Sequence, residues 1–188
     1  TSLNGMLTSL STNYNRRNKD VRLYELGNIY LPKSVPVTEL PDERMQFTLG
    51  MYGEGDFFTM KGVVEEFFYK VGMTKKAEYD PNAGRPYLHP GRQANIVYDG
   101  KVVGYLGEVH PLVAANYNIK DRVYVAVIDM PSIMDETTFD RKYEGIAKFP
   151  AATRDISMVV PKEILAGDIE KVFESKGGAY LESYTLFD

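Results

Sequence analysis

Cysteine and tryptophan are absent from this chain, and histidine occurs only twice. Without thiols, disulfides and thiolate metal sites are excluded, and no redox compartment can be read from the sequence. Neither His89 nor His110 has a nucleophile and an acid partner in its sequence neighbourhood, so no Cys-His or Ser-His-Asp set can be assembled. No stretch approaches about 18 consecutive apolar residues, which argues against a membrane-spanning helix, and the N-terminus lacks a signal-peptide apolar region. The cytoplasm is the expected compartment. A basic excess is missing as well: 22 Lys and Arg against 26 Asp and Glu give a net charge of −4. Any contact with RNA is therefore local, or is made by another part of a larger assembly. There is no G-x-x-x-x-G-K-[ST] phosphate loop, and Gly53-Glu54-Gly55 is acidic and would repel phosphate.

What is present suits a folded protein. With 44% hydrophobic and 26% charged residues over 188 positions, the chain can build one ordinary domain plus a small one. Its organising stretch is Tyr87 to Pro111. Asp99-Gly100 separates two apolar-rich runs, and Asp-Gly favours a type I′ hairpin turn because both central residues need φ > 0. That turn predicts Tyr98 opposite Lys101, Ile96 opposite Val103 and Ala94 opposite Tyr105. Val97 and Val102 share the other face. A hairpin apolar on both faces belongs inside a sheet.

Around it, Leu3, Met6, Leu7, Leu10 and Tyr14 have the spacing of an amphipathic helix ending near Arg16. A strand is expected from Val21 to Tyr30, with a bulge or close approach at Gly27, and another from Met45 to Tyr52. Asp56 caps a helix whose face is Met60, Val63, Val64, Phe67, Phe68 and Val71, with Gly72 as its stop. A weak strand at 76–79, a short helix from Pro111 to Tyr117 and a buried strand from Val123 to about Met130 follow. A polar stretch then leads to strand Asp155–Val160, a helix through Leu165, Ile169, Val172 and Phe173, and strand Tyr180–Phe187. That order is a βαβ unit, half of a ferredoxin-like fold.

The candidate sites are few. His89, His110 and Glu108 form a conceivable two-His-one-carboxylate metal set, because the predicted register places 89 opposite 110. The plainer alternative is that each His-Pro ends a strand, its imidazole bonded to a neighbouring backbone carbonyl. Glu65-Glu66 falls on a solvated helix face. Arg16-Arg17 with Lys19 reads as a solvated helix end more readily than as an RNA patch, and the tyrosines are scattered.

The string LHPGR(x)A…DGK(x)(x)G(x)LGE(x)HP across the hairpin resembles the β subunit of bacterial-type phenylalanyl-tRNA synthetases, in its C-terminal part. Three further motifs carry the same resemblance in the same order. Val21-Arg22-Leu23-Tyr24-Glu25-Leu26-Gly27 resembles the family's xRLFEIG strand behind a TSLxxxLLxxLxxNxNR helix. Asp56-Phe57-Phe58-Thr59-Met60-Lys61-Gly62 resembles its DFFxLKG helix start. Lys148-Phe149-Pro150-Ala151 through Arg154 to Val160 resembles its KFPAxxRDLxxVV opening.

The resemblance implies an α+β fold: a class II synthetase-like antiparallel sheet flanked by helices over 1–144, then the first βαβ half of a ferredoxin-fold anticodon-binding domain over 145–188. Lys148 and Arg154 are its implied tRNA contacts. It implies a parent enzyme of two α and two β subunits that joins phenylalanine to tRNA(Phe) with ATP and Mg²⁺, the chemistry lying in the α subunit. In this chain no catalytic, cofactor-binding or metal residue is expected. No GxGxGxxR motif occurs, and Arg22 and Glu25 lie one residue too far apart for the Arg-x-Glu pattern, which sends them to opposite faces of a strand. Because it opens without Met in mid-pattern, the chain reads as an excised fragment, its terminal half-domain loosely ordered or paired with another chain. A stand-alone synthetase-like RNA-binding or regulatory protein is the alternative.

Overall fold

The computed structural model describes residues 2–138, 140, 143, 145 and 148–187. The chain divides into two compact units, 1–141 and 142–188.

In the first unit an antiparallel sheet of six strands carries helices on both faces. The strands are β1 (Val21–Leu31), β2 (Asp42–Tyr52), β3 (Glu78–Asp80), β4 (Leu88–Tyr98), β5 (Lys101–Val109) and β6 (Val123–Asp129). Their order across the sheet is β1-β2-β6-β5-β4-β3. Helix α1 (Ser2–Asn15) and the short α3 (Pro111–Asn116) pack on one face, and α2 (Phe57–Lys70) packs on the other. Alternation along β6 explains its uninterrupted apolar sequence. Val123 and Val125 join the core under α1 and α3, while Tyr124, Ala126 and Ile128 join the core under α2. A strand covered on both faces has no polar side to present.

Helix α2 begins where the sequence places it. The Asp56 carboxylate accepts the Thr59 backbone N–H at 2.8 Å, and the Asp56 N–H donates to the Thr59 hydroxyl at 3.1 Å, closing a capping box. The Thr59 N–H, followed by the Thr59 hydroxyl donating to the same carboxylate at 3.0 Å, holds the Asp56 carboxyl below the usual carboxylate range. Met60, Val64 and Phe68 are buried beneath the helix, whereas Val63 lies toward its exposed flank. Three helix ends share one geometry. At α1, α2 and α3 an N–H bonds back across six residues to close a Schellman motif: Asn18 to the Asn13 carbonyl, Met73 to Phe68, and Ile119 to Ala114. The left-handed residue is Arg17 in α1, Gly72 in α2 and Asn118 in α3. Gly72 is doubly required, because a Cβ there would sit 1.6 Å from the Thr138 carbonyl oxygen.

The central hairpin holds its predicted turn, with Asp99 and Gly100 at φ 48° and 74°. Tyr98 faces Lys101 and Val97 faces Val102 as expected, but Val103 then bulges, so Ile96 faces Gly104 and Ala94 faces Leu106. The bulge lets Val103 and Leu106, which plain alternation would send to opposite faces, both enter the core under α2. A second irregularity between Leu88 and Gln93 resets the register again. Gly27 differs from expectation: β1 pairs with β2 without interruption from Val21–Tyr52 to Leu31–Asp42, and no bulge occurs.

The second unit contains α4 (Ala166–Gly177), as its apolar spacing predicts. The flanking segments 155–160 and 181–187 make no strand ladder among the described residues. Alternating β-branched residues satisfy a strand's side chains, but its N–H and C=O groups need adjacent strands. No residue of α4 is buried; its main anchor is Phe173, stacked on Tyr184 at 5.9 Å.

Two measurements check this framework. Leu10→Ala empties a fully buried position and is expected to cost about 2–5 kcal/mol in urea unfolding. Gly72→Ala is expected to cost more than the roughly 1–2 kcal/mol of a left-handed L-residue alone, because the Thr138 segment must also move. In acid, the Asp56 cap contributes stability above the ordinary aspartate pKa and loses it as pH falls through the lowered folded value. Asp56→Asn keeps a capping oxygen without that titration, so its melting temperature should fall less steeply between about pH 5 and pH 3.

Candidate functional site

The parity of β1 decides the first question. Tyr24 meets Phe47 at 6.0 Å, and Phe47 stacks on Phe67 of α2 at 4.5 Å, so the even residues of β1 lie on the α2 face. Arg22 shares that parity, and its guanidinium donates to the Glu54 carbonyl at 3.3 Å. Leu23 packs in the core under α1. Glu25 is on the same face, close enough that a methyl on Gly5 would lie 3.7 Å from its carboxylate. Arg22 and Glu25 therefore face opposite sides of the sheet, as the sequence predicts. The position that shares a face with Glu25 two residues earlier holds a leucine and cannot act as a cation.

Side chains occupy the rest of the α1 face. The Arg85 guanidinium sits 4.0 Å over the Tyr105 ring and donates to the Asn95 side-chain carbonyl at 2.6 Å. The Arg85 backbone N–H donates to the Gln93 side chain at 2.9 Å. Tyr87 meets the Tyr105 ring edge-on at 6.1 Å. Burial, then the hydrogen bond with Tyr87, push the Tyr105 phenol far above its ordinary pKa. Nearer α1, the Ser2 hydroxyl donates to the Gln46 side chain at 2.8 Å and shares a 2.6 Å hydrogen bond with the buried Thr48. Glu25 lines the same hollow as Ser2. The face contains an immobilised cation and a tyrosine kept neutral.

The two histidines and Glu108 are not brought together as a ligand set. The His110 backbone N–H donates to the Tyr87 carbonyl at 2.9 Å, so position 110 is matched with 87 and not with 89. Each imidazole closes its own turn. His89 Nδ1 accepts the Gly91 N–H at 3.1 Å, and His110 Nδ1 accepts the Leu112 N–H at 3.2 Å while capping α3. The strand-ending role matches expectation, but the partner is an amide N–H and not a carbonyl. Among the described residues, no group of three or more His, Cys, Asp or Glu is placed to hold a metal ion.

Glu108 belongs instead to Arg92, a partner that the sequence reading missed. Arg92 Nε donates to Oε2 at 2.6 Å and Nη2 to Oε1 at 3.2 Å, a bidentate pair whose carboxylate is 3% exposed. Beyond Gln93–Gly107, the next opposed pair in the shifted register is Arg92–Glu108. Lys148 and Arg154 lie in the second unit, both exposed, with Arg154 donating to the Thr153 carbonyl at 2.7 Å.

The Arg92–Glu108 pair makes a testable demand on the fold. Arg92→Met leaves a buried carboxylate uncompensated and should lower the urea midpoint more than Arg92→Met/Glu108→Leu, which removes both charges. Equal midpoints for the two variants would show that Glu108 is not desolvated.

Comparison with known proteins matches this geometry. Residues 1–130 match the family described as the phenylalanyl tRNA synthetase beta chain CLM domain, and residues 147–188 match the ferredoxin-fold anticodon binding domain. The phenylalanine–tRNA ligase beta subunit of Clostridium acetobutylicum is 43% identical over all 188 residues, and that of Clostridium tetani 37%. This chain spans about a quarter of the length of the curated relatives it matches, 24% in both cases. Among solved structures, two of pyrrolysyl-tRNA synthetase from Desulfitobacterium hafniense share the fold with TM-scores of 0.57, at 10% and 12% identity. They align over 71% and 73% of this chain and 48% and 50% of theirs. The six-stranded sheet, the leucine beside Glu25 and the matches along almost the whole chain lead to one assignment: the chain belongs to the phenylalanyl-tRNA synthetase β-chain family.

Proposed function

We propose that this chain is the catalytic-like but chemically silent module of a phenylalanine–tRNA ligase β subunit, followed by the start of its anticodon-binding domain. The observation that carries this reading is the α1 face of the sheet. Leu23 stands where an Arg-x-Glu pair needs its cation, and the remaining surface is filled by Arg85, Tyr87 and Tyr105. On this reading the module is of the class II synthetase type and spans 1–144. Residues 145–188 form the first βαβ half of the ferredoxin-like domain, its strands completed by pairing with further strands. Lys148 and Arg154 reach tRNA(Phe) from that domain. ATP and Mg²⁺ serve the whole enzyme through an α subunit, in a cytoplasmic α₂β₂ tetramer.

The α2 face supports the subunit-packing role. The ring series Tyr24, Phe47, Phe67 continues into Leu26 and Met45 on the outer half of the β1–β2 hairpin, where Tyr24 is 75% and Leu26 55% exposed. A continuous aromatic and aliphatic surface of this kind marks a protein interface more readily than a solvated one.

The test is reconstitution. A β subunit carrying this chain, co-expressed with its α subunit, should charge tRNA(Phe), whereas the isolated chain should form no aminoacyl-adenylate from ATP and phenylalanine. Adenylate formation by the isolated chain would overturn the reading. Tyr24→Ser/Leu26→Ser should reduce recovery of the assembled enzyme severalfold while leaving the melting temperature of the chain itself almost unchanged.

A further inference from the structure

Most cations of the first unit have a partner; among the described residues Lys101, exposed at the β4–β5 turn, makes no ion pair, and five more without one share a single rim. Lys33, Arg44, Lys61, Lys70, Lys75 and Arg92 each have a carboxylate within salt-bridge distance, and Arg85 is stacked on Tyr105. Arg16, Arg17, Lys19, Lys120 and Arg122 are all exposed, and among the described residues none makes an ion pair. The fold collects these five at one edge. Val21, Tyr52 and Val123 lie side by side across β1, β2 and β6. The residues just before β1 and β6 therefore emerge at the same end of the sheet as Gly53. The Tyr52 hydroxyl donates to the Asn18 carbonyl at 2.9 Å, tying the α1 terminus to that edge. Asp121 lies near the same phenol and, after burial, is the next cause of its raised pKa. Asp20, Glu54, Asp56 and Asp121 are the acids there, and Asp56 is committed to capping α2. With Arg22 the rim counts six cations against these four acids, a positive edge on a chain of net charge −4.

Two independent features single the rim out. Arg17 sits at φ 64°, the Schellman position that Gly72 and Asn118 occupy in the other two helices. An arginine there is strained relative to glycine, and the helix end itself does not require its side chain. Beside Lys120 and Arg122 opens a cleft of about 430 Å³ with an apolar floor of Val109, Ala114 and Ile119. Glu108 and Asp121 line it as well; the Glu108 charge is matched by Arg92, and Asp121 stands between the two cations. Unpaired cations flanking an apolar hollow suit a nucleic-acid strand, with phosphates on the rim and an unstacked base in the cleft.

We propose that this rim, Arg16, Arg17, Lys19, Lys120 and Arg122, is an RNA-backbone contact of the first unit, separate from the anticodon-binding unit. The proposal rests on the reading of the chain as part of a tRNA ligase. The experiment uses the assembled ligase and a tRNA(Phe) transcript, measuring Kd by filter binding across a salt series. The rim variant carries Arg16→Gln, Arg17→Gly, Lys19→Gln, Lys120→Gln and Arg122→Gln. It is expected to bind at least tenfold more weakly, with the slope of log Kd against log salt reduced by about three. A control variant removes the same charge at Lys33, Arg44, Lys61, Lys70 and Lys75, and should keep the original Kd within twofold. Arg17→Gly alone should weaken binding twofold or more while raising the melting temperature, a combination that a purely structural arginine cannot give. Unchanged Kd and slope in the rim variant, or equal weakening in the control, overturns the proposal. If the rim instead holds an acidic segment of a partner subunit, the rim variant will dissociate the assembly while the assembled fraction keeps its tRNA affinity, which also overturns it. Aminoacylation by the unmodified assembly is scored separately, so failure of the ligase reading is distinguishable from failure of the rim.

Discussion

The burial of β6 on both faces is the constraint on which the first unit depends. Its seven residues pair with β2 on one side and β5 on the other, and every residue from Val123 to Ile128 is inaccessible. A strand in that position can tolerate neither a polar side chain nor a change of register by one, because either would place the wrong side chain in both cores at once. Its neighbours show the consequence. Gly50 on β2 lies against α1, where a Cβ would meet Met6 at 2.7 Å and Leu10 at 2.9 Å. Gly104 on β5 lies so close that a Cβ would meet the Val127 carbonyl at 2.4 Å. The glycines flanking β6 thus record how tightly helix and strand approach it.

The same constraint sets what lies over the centre of the α1 face. An active-site face needs open volume over the sheet and at least one charged group free to change partners. Here Leu23 completes the core under α1, and the one guanidinium over the centre of that face is fixed by a ring and an amide. Filling stabilises the centre of the face, since buried apolar contacts contribute roughly 25 cal/mol per Å²; its open volume lies at the margins, beside Glu25 and beside Lys120. The ion pairs lie around the periphery, and even the buried carboxylate of Glu108 is neutralised by an arginine that remains partly in solvent.

How much of this was legible in the sequence depends on the range of the interaction. Local signals read well. Asp99-Gly100 gave its turn, Asp56 and Gly72 gave the limits of α2, and the spacing of Arg22 and Glu25 gave their opposite faces, because each depends only on backbone preferences within a few residues. The Val103 bulge was not legible. Nothing in a run of valines marks which one is looped out; the choice is made by the depth of the core under α2. That slip moved the pairing by one and hid the Arg92–Glu108 pair, and the second irregularity, between Leu88 and Gln93, sets His110 opposite Tyr87 and not His89. The segments 155–160 and 181–187 show the converse. Their alternation has strand character, yet a strand is a property of its neighbours, and no ladder forms among the residues described.

The helix ends extend this argument from folding to recognition. A left-handed terminal residue is chosen by backbone energy when nothing else acts on it, which favours glycine first and asparagine next. Two of the three Schellman ends follow that preference and the third, Arg17, does not. In a fold whose remaining cations are mostly held by carboxylates or rings, Arg17 combines an unfavourable backbone conformation with an exposed charge that makes no ion pair among the described residues. An anionic chain bound at the rim gives that charge a partner. The sheet edge then has a division of labour: its two faces are spent on packing, and the end of the sheet where β1 and β6 begin is left free for contact with an anionic chain.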